Sequence, residues 1–446
     1  MHPIASQRGP LIKFLSCYVA RLTALLALLH LNAPTAAAPP VEISFADSGQ
    51  RLGRSNKSCD VTLVDIDGNG VLDAYFGGAI WTNNGQGRFT KGTLSFGPDD
   101  RQACFADFNG DGLIDVLCNK LIYLNDGHCR FTQTRTVPCD IDMIGVYLAD
   151  LNNDGAIDII AGAQHEDRVL LDDGKGNFRN MRRNLGGWGQ CRYAVGDVNG
   201  DGFTDIYVAI PHTPPPRMVH TPNLIWLGDG KGGFTPQPHD IPGAISRCVV
   251  LADFNGDHTP DLFVGDQGDS GVSSKVFFND GKGNFTDSGQ DLGAGINDAK
   301  ASDFDGDGYL DLVLAQGGVG EIGRTIAFWI NDGRGGFTDR GSCLGATGSK
   351  EGVEEIGWPI TVWITDGRGG FTDRGLRLGN ASTFSVELGD LNGDGKTDVI
   401  ASHAVKLLST TFADVWLNTS VAARRHTSPT KRASVPDTTK TSRNMN

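Results

Sequence analysis

The sequence predicts an all-β fold, a seven-bladed β-propeller in which an N-terminal strand closes the last blade. Three observations predict it. A nine-residue acidic loop occurs seven times, first as Asp65-Ile66-Asp67-Gly68-Asn69-Gly70-Val71-Leu72-Asp73, then from Asp107, Asp150, Asp197, Asp253, Asp303 and Asp390. Each copy separates two short apolar runs, such as Val249-Val250-Leu251-Ala252 before one loop and Leu312-Val313-Leu314-Ala315 after another. The segment Phe45 to Gly53 matches Phe285 to Gly293, a stretch that elsewhere ends a repeat. Self-similarity at the period of one small sheet is the mark of a repeat architecture.

Residues 1–38 read as a secretion signal. Arg8, Lys13 and Arg21 lead into the run Leu22 to Leu31, and the small residues Ala36-Ala37-Ala38 follow. That run is too short to span a bilayer. The expected product is secreted and extracellular, with no stable membrane insertion once the signal is removed.

Residues 42–420 hold the propeller. Successive loops start 42, 43, 47, 56, 50 and 87 residues apart. Each unit places an apolar run, the loop, a second apolar run and a hairpin written Asn-Asp-Gly-x-Gly-x-Phe, as at Asn279 to Phe285 and Asn331 to Phe337. Short β-former runs bounded by Gly and Asp are strands, and Asp-Gly between them is a hairpin turn. Four such strands make one blade. A lone blade cannot bury both faces, so blades stack around an axis. The last unit, from Asp390, lacks a closing Phe-Thr strand, and the N-terminal segment supplies one.

The long spacing after Asp303 has its own cause. Glu321 to Gly345 reappears as Glu355 to Gly379 with 18 of 25 positions identical, and the second copy has no acidic loop. Residues 346–379 therefore read as a partial duplication in the region of blade six. Two copies compete for one edge, so one is expected to pack and the other to extrude or remain mobile. Residues 421–446 are polar, basic and aperiodic, the composition of a disordered tail.

The net charge is −14, which excludes nucleic acid as a partner. Its origin is local, because the loops carry 22 Asp at their recurrent positions. Nine Cys are present, and Cys17 leaves with the signal. Cys104 and Cys118 flank one loop symmetrically, so a hairpin is expected to bring them opposite each other. A disulfide and a pair of buried thiols both fit that arrangement.

The recurrent oxygens stand at loop positions 1, 3, 5 and 9. They are Asp65, Asp67, Asn69, Asp73; Asp107, Asn109, Asp111, Asp115; Asp150, Asn152, Asp154, Asp158; and Asp197, Asn199, Asp201, Asp205. The remaining three loops give Asp253, Asn255, Asp257, Asp261; Asp303, Asp305, Asp307, Asp311; and Asp390, Asn392, Asp394, Asp398. Gly at position 6 permits a turn with positive φ, which brings alternate side chains onto one centre. Hard oxygen ligands in a flexible cage suit calcium, here up to seven ions, better than zinc or magnesium. The fifth loop departs from the pattern with His258 at position 6 and Pro260 at position 8.

These loops, with the Asp-Gly-x-Gly-x-Phe hairpins, resemble the FG-GAP-like (VCBS-type) repeat family. Its members are the calcium-loop propellers of integrin alpha subunits and of many secreted stand-alone proteins. The resemblance covers about residues 42 to 420. It implies calcium at positions 1, 3, 5 and 9, and ligand binding or adhesion more often than catalysis.

A ligand is expected on the rim opposite the calcium loops, where exposed connections vary. Candidate residues there are His165, Glu166, Trp188, His212 and His220. The expected function is a secreted calcium-binding module for a carbohydrate or an extracellular protein. The alternative is a propeller hydrolase or lyase acting on carbohydrate. No Gly-x-Ser-x-Gly elbow, His-Glu-x-x-His or dinucleotide loop occurs. A catalytic carboxylate pair could come from among Glu166, Asp167, Asp266 and Asp269.

Overall fold

A computed structural model describes residues 45–55, 60–94, 96, 103–143, 145–163, 166–186, 191–210, 223–239, 241, 246–266, 273–304, 307–316, 326–342, 362–365, 371–376, 382–405 and 410–418. The secretion signal and the basic tail lie outside these residues.

The fold is an all-β propeller. Six blades are each built from four consecutive antiparallel strands. Blade one has Val61–Val64, Asp73–Phe76, Ala79–Asn83 and Phe89–Lys91. Blade two has Ala103–Ala106, Asp115–Cys118, Leu121–Asn125 and Phe131–Thr136. Blade three has Gly145–Ala149, Asp158–Gly162, Asp167–Asp172 and Phe178–Asn180. Blade four has Arg192–Gly196, Asp205–Ala209, Leu224–Gly228 and Phe234–Gln237. Blade five has Ser246–Ala252, Asp261–Asp266, Lys275–Asn279 and Phe285–Asp287. Blade six has Ile296–Ser302, Asp311–Gln316, Ile326–Asn331 and Phe337–Ser342.

A further four-stranded sheet is composite. Ser382–Gly389, Asp398–Val405 and Thr410–Asn418 come from the C-terminal region, and Phe45–Ser55 pairs antiparallel with the last of them, Phe45 facing Asn418. Seven blades, the last closed by the N-terminal strand, were the expectation from seven loops; that count is corrected to six blades of consecutive strands, because the remaining four-stranded sheet draws its outer strand from the other end of the chain. In the duplicated region, Ile326–Asn331 and Phe337–Ser342 complete blade six, while Val362–Thr365 and Phe371–Leu376 form a separate two-stranded sheet.

Apolar packing lies between blades rather than within them. Phe108, Leu117 and Ile122 of blade two cluster with Ile159, Ala161 and Leu170 of blade three. Phe254 and Phe263 of blade five cluster with Leu312, Leu314 and Ala327 of blade six. Leu52 of the N-terminal strand, with Leu391, Ile400 and Val415 of the composite sheet, meets Val61, Leu63, Ala74 and Phe76 of blade one. Strand residues alternate between faces, so each blade offers one apolar face to each neighbour.

A polar stitch accompanies this packing. In blades one, two, five and six the third strand ends in a buried asparagine: Asn83, Asn125, Asn279 and Asn331. Each Nδ2 donates to the position-8 carbonyl of its own loop, at Leu72 (3.0 Å), Ile114 (2.9 Å), Pro260 (3.1 Å) and Leu310 (3.0 Å). The same Nδ2 donates to the position-2 carbonyl of the preceding loop, at Leu391 (2.9 Å), Ile66 (2.8 Å), Val198 (2.8 Å) and Phe254 (2.6 Å). The Asn83–Leu391 bond joins residues 308 positions apart and ties the composite sheet to blade one.

Two blades break the stitch differently. Blade four has Gly228, where an added Cβ would lie 2.2 Å from the Thr204 carbonyl oxygen, so no side chain fits. Blade three has Asp172, buried, with neither carboxylate oxygen hydrogen-bonded. Burial pushes Asp172 up to about 6; the nearby amides of Asp173, Gly176 and Gly174 offset this only in part. An acid is thus placed where its counterparts need a donor. Asp172→Asn is expected to restore the stitch and stabilise the fold by about 1–3 kcal/mol at pH 7, read by chemical unfolding. A variant no more stable than the parent would show that the site has no acceptor to satisfy.

The expected facing of Cys104 and Cys118 is corrected. Cys104 pairs with Leu117 and Cys118 with Ala103. A one-residue offset sends the two thiols to opposite faces of the sheet. Cys129, Cys139 and Cys248 are free thiols.

Candidate metal centres in the interstrand loops

Each acidic loop joins the first and second strands of its sheet, and all loops use one construction. The position-1 carboxylate folds the loop around itself. In the first loop Asp65 Oδ1 accepts the Asn69 amide (3.0 Å) and Oδ2 accepts the Gly70 amide (2.8 Å). Asp107, Asp150, Asp197 and Asp390 repeat this with their own position-5 and position-6 amides. The position-3 and position-5 side chains each accept an amide two residues on, as Asp111 accepts Leu113 at 2.9 Å. These local turns explain why Asp and Asn alternate with Gly here.

The backbone confirms the need for glycine at position 6, where Gly70, Gly112, Gly155, Gly202, Gly308 and Gly395 all have positive φ. His258 takes the same conformation at φ 70° in the fifth loop. Its ring is exposed and stands 3.7 Å from Asp253 Oδ2. Such a φ is uncommon for a side chain with a Cβ, so this loop carries local strain that the others avoid.

Position 9 has a second task that spacing alone does not reveal. Asp73, Asp115, Asp158, Asp205, Asp261, Asp311 and Asp398 are buried at the start of their second strands. One oxygen accepts the position-2 amide of the loop, at 3.3 Å from Ile66 and 2.9 Å from Leu151 and Val198. The other accepts the amide at the end of the third strand, at 2.7 Å from Asn83, 2.8 Å from Asn125 and 2.8 Å from Gly228. One carboxylate therefore fixes loop, second strand and third strand together. Sequence reasoning missed this role and the asparagine stitch; the signal was the Asn that opens most Asn-Asp-Gly hairpins.

Position-9 carboxyls also carry unbalanced charge. Burial pushes Asp73, Asp115 and Asp158 up to about 7, and Asp205 and Asp261 up to about 6. Amide hydrogen bonds act in the opposite direction, and the position-1 carboxylates, with acids at position 3 or 5, add to the rise. Among the described residues the first loop gathers its acids most closely: one ligand oxygen from each of Asp65, Asp67 and Asp73 lies within 4.8 Å of the others. An oxygen-only donor set that crowds negative charge around one point fits a hard divalent cation.

Of the other predicted site residues, Asp305, His165, Trp188, His212, His220 and Asp269 lie outside the described residues. Glu166 is described and is engaged: its Oε2 accepts Arg168 Nη2 at 2.7 Å, and Arg168 also pairs with Asp140 at 2.9 Å. Asp167 is buried and accepts the Tyr193 hydroxyl, and Asp266 is buried as well. These two carboxylates are structural in their surroundings and not open to a sugar. No helix among the described residues is long and apolar enough to cross a membrane.

Comparison with known proteins agrees with the loop chemistry. Residues 150–208, 197–264 and 253–314 each match the FG-GAP-like repeat profile, which places such repeats over the third to sixth loops. The chain is 32% identical over 159 residues to mouse integrin alpha-IIb, across 29% of this chain and 15% of that protein. It thus spans under a sixth of the length of that relative. Among solved structures, an Agrocybe aegerita lectin that recognises non-reducing terminal N-acetylglucosamine is similar at TM-score 0.43 and 19% identity, covering 68% of this chain and 79% of that one. The BBS1 N-terminal domain, solved with ARL6, gives TM-score 0.46 and 11% identity over 86% of this chain and 98% of that one. At these scores neither structure bears on function.

Proposed function

We propose that this FG-GAP-type propeller is a secreted, calcium-dependent ligand-binding module, with the composite sheet serving as a seventh blade. The observation that carries the reading is the convergence of Asp65, Asp67 and Asp73 within 4.8 Å, in a loop whose plan recurs around the ring. Positions 1, 3, 5 and 9 would hold the ion in each of up to seven loops. When bound, calcium supplies positive charge to crowded carboxylates. The chain's own residues do the rest. Position 9 anchors the loop to two strands, and the hairpin asparagines tie it to the next blade.

The role of the ion is structural, and the ligand is bound by the scaffold it stiffens. A carbohydrate or an extracellular protein is the ligand class that suits exposed connections on rigid blades. The carbohydrate arm is tested on a glycan array with the full secreted chain, in about 1 mM calcium, the extracellular regime, and in chelator. Binding that appears in calcium and disappears in chelator supports the reading. Binding indifferent to chelator, or turnover of a sugar substrate, overturns it in favour of a metal-independent or enzymatic propeller.

A further inference from the structure

The chain encodes the outer half of blade six twice. Glu321 to Gly345 and Glu355 to Gly379 share 18 of 25 positions. The two hairpins pair alike. In the first, Asn331, Ile330 and Trp329 face Phe337, Thr338 and Asp339. In the second, Thr365, Ile364 and Trp363 face Phe371, Thr372 and Asp373. Both ladders then shift register just before the tryptophan.

Chain connectivity favours neither copy. Nine residues separate Gln316 from Ile326, close to the eight between Asp266 and Lys275 in blade five, so the first hairpin has an ordinary entry. Five residues separate Leu376 from Ser382, and eight separate Asp287 from Ile296, so the second hairpin has an ordinary exit into the next sheet. On its other side each copy is joined by a stretch long enough to loop out, at a small cost in closure entropy.

Most of what seats the first hairpin is common to both. Trp329, Ile330 and Phe337 recur as Trp363, Ile364 and Phe371. Gly333 and Gly335, both at positive φ, recur as Gly367 and Gly369. Gln290 holds the Phe337 amide (2.6 Å) and the Gly335 carbonyl, backbone groups that either copy offers. One seating contact is not shared. Asn331 Nδ2 donates to the carbonyls of Phe254 (2.6 Å) and Leu310 (3.0 Å). Its counterpart is Thr365, whose single hydroxyl donor can meet at most one of them. Ala327, 0% exposed, has the bulkier and polar Thr361 as its counterpart.

We propose that the two hairpins are interchangeable outer halves of blade six, and that Asn331 decides which one is seated. Ile326–Asn331 is bonded on both sides, to Asp311–Gln316 and to Phe337–Ser342. Among the described residues Val362–Thr365 is bonded only to Phe371–Leu376. Exchange breaks the ladder to Asp311–Gln316 and remakes it with the second copy. The two arrangements then differ by the asparagine contacts and the Ala-to-Thr change, so the outer half of blade six is a bistable element.

The test is hydrogen exchange read by mass spectrometry on the full chain in calcium. Peptides covering residues 326–331 and 362–365 differ in mass and are followed separately. In the parent, 326–331 is expected to exchange at least about tenfold more slowly than 362–365, the scale of the hydrogen bonds that seat it. Asn331→Thr combined with Thr365→Asn is expected to invert that order. Two deletion chains decide the matter if the exchanged pair does not fold. Removal of 346–379 keeps the first copy, and removal of 321–354 keeps the second. Both are expected to fold with 311–316 protected. The chain keeping the second copy is expected to melt lower, and Thr365→Asn to close most of the gap. Protection that stays on 326–331 in the exchanged pair would overturn the proposal. So would a chain lacking 321–354 whose 311–316 segment stays unprotected even with Thr365→Asn.

Discussion

Removing calcium is expected to lower the melting temperature by about 10 °C or more, and the loss is expected to grow as pH rises. The size follows from mass action. A site with Kd on the order of 10⁻⁴ M in about 1 mM calcium contributes roughly 1.4 kcal/mol, and seven such sites sum to about 10 kcal/mol. For a chain of this size, 1 kcal/mol corresponds to about 1–2 °C. The pH dependence follows from the position-9 acids. Without the ion, Asp73, Asp115 and Asp158 titrate at about 7 and Asp205 and Asp261 at about 6 in the folded chain, above their usual value of 3.8. The folded state then holds protons that the unfolded state has shed. The stability these protons confer is fully present below about pH 4 and is lost as pH rises through 6 to 7. With calcium bound, the carboxylates are ionised in the folded state as they are in the unfolded one, so stability stays nearly level through the same window. Thermal scans from pH 5 to 8 should therefore diverge, falling with pH in chelator and staying nearly level in calcium. Parallel curves would mean that the ion does not engage position 9.

Deleting residues 43–53 is expected to remove most of the stability, whatever the calcium concentration. The strand Phe45–Ser55 forms the outer edge of the composite sheet, where it pairs with Thr410–Asn418. Leu52 is only 1% exposed and packs across the junction with blade one. Gln50 clasps that blade's hairpin, accepting the Phe89 amide at 2.7 Å through Oε1 and donating to the Gly87 carbonyl through Nε2. Gln290 of blade five makes the same pair of contacts with Phe337 and Gly335 of blade six. The N-terminal strand therefore behaves like the end of an ordinary repeat, and without it the ring has an open seam. A milder version is Leu52→Ala, expected to cost about 2–5 kcal/mol by urea unfolding. A deletion that melted at the parent's temperature would show that the ring does not depend on this strand.

Much of this architecture was legible in the sequence because its signals are local. Asp65 to Asp73 encodes its own turn: Asp at position 1 caps amides four and five residues on, and glycine takes the positive φ. The match of Asp47-Ser48-Gly49-Gln50 to Asp287-Ser288-Gly289-Gln290 foretold the N-terminal strand, since both glutamines now hold the next blade. What was hidden depends on partners brought close only by the ring. Asn83 reaches Leu391 across most of the chain, and no spacing rule pairs them. Asp172 looks like one more turn acid until the fold places it where Asn83, Asn125, Asn279 and Asn331 donate. The register of Cys104 and Cys118 turned on a single residue, beyond what symmetric flanking can resolve. Lys300 and Glu387 carry no mutual motif and pair at 3.0 Å only because the ring sets blade six against the composite sheet.

The central claim is that the repeated acids hold cations, and counting those ions tests it most directly. Equilibrium dialysis of the secreted chain in about 1 mM calcium, the extracellular regime, is predicted to find several ions per molecule, up to seven. The count should fall by one when Asp65 and Asp67 are both changed to Ala. No bound calcium, or a count unchanged by that double substitution, would contradict the account.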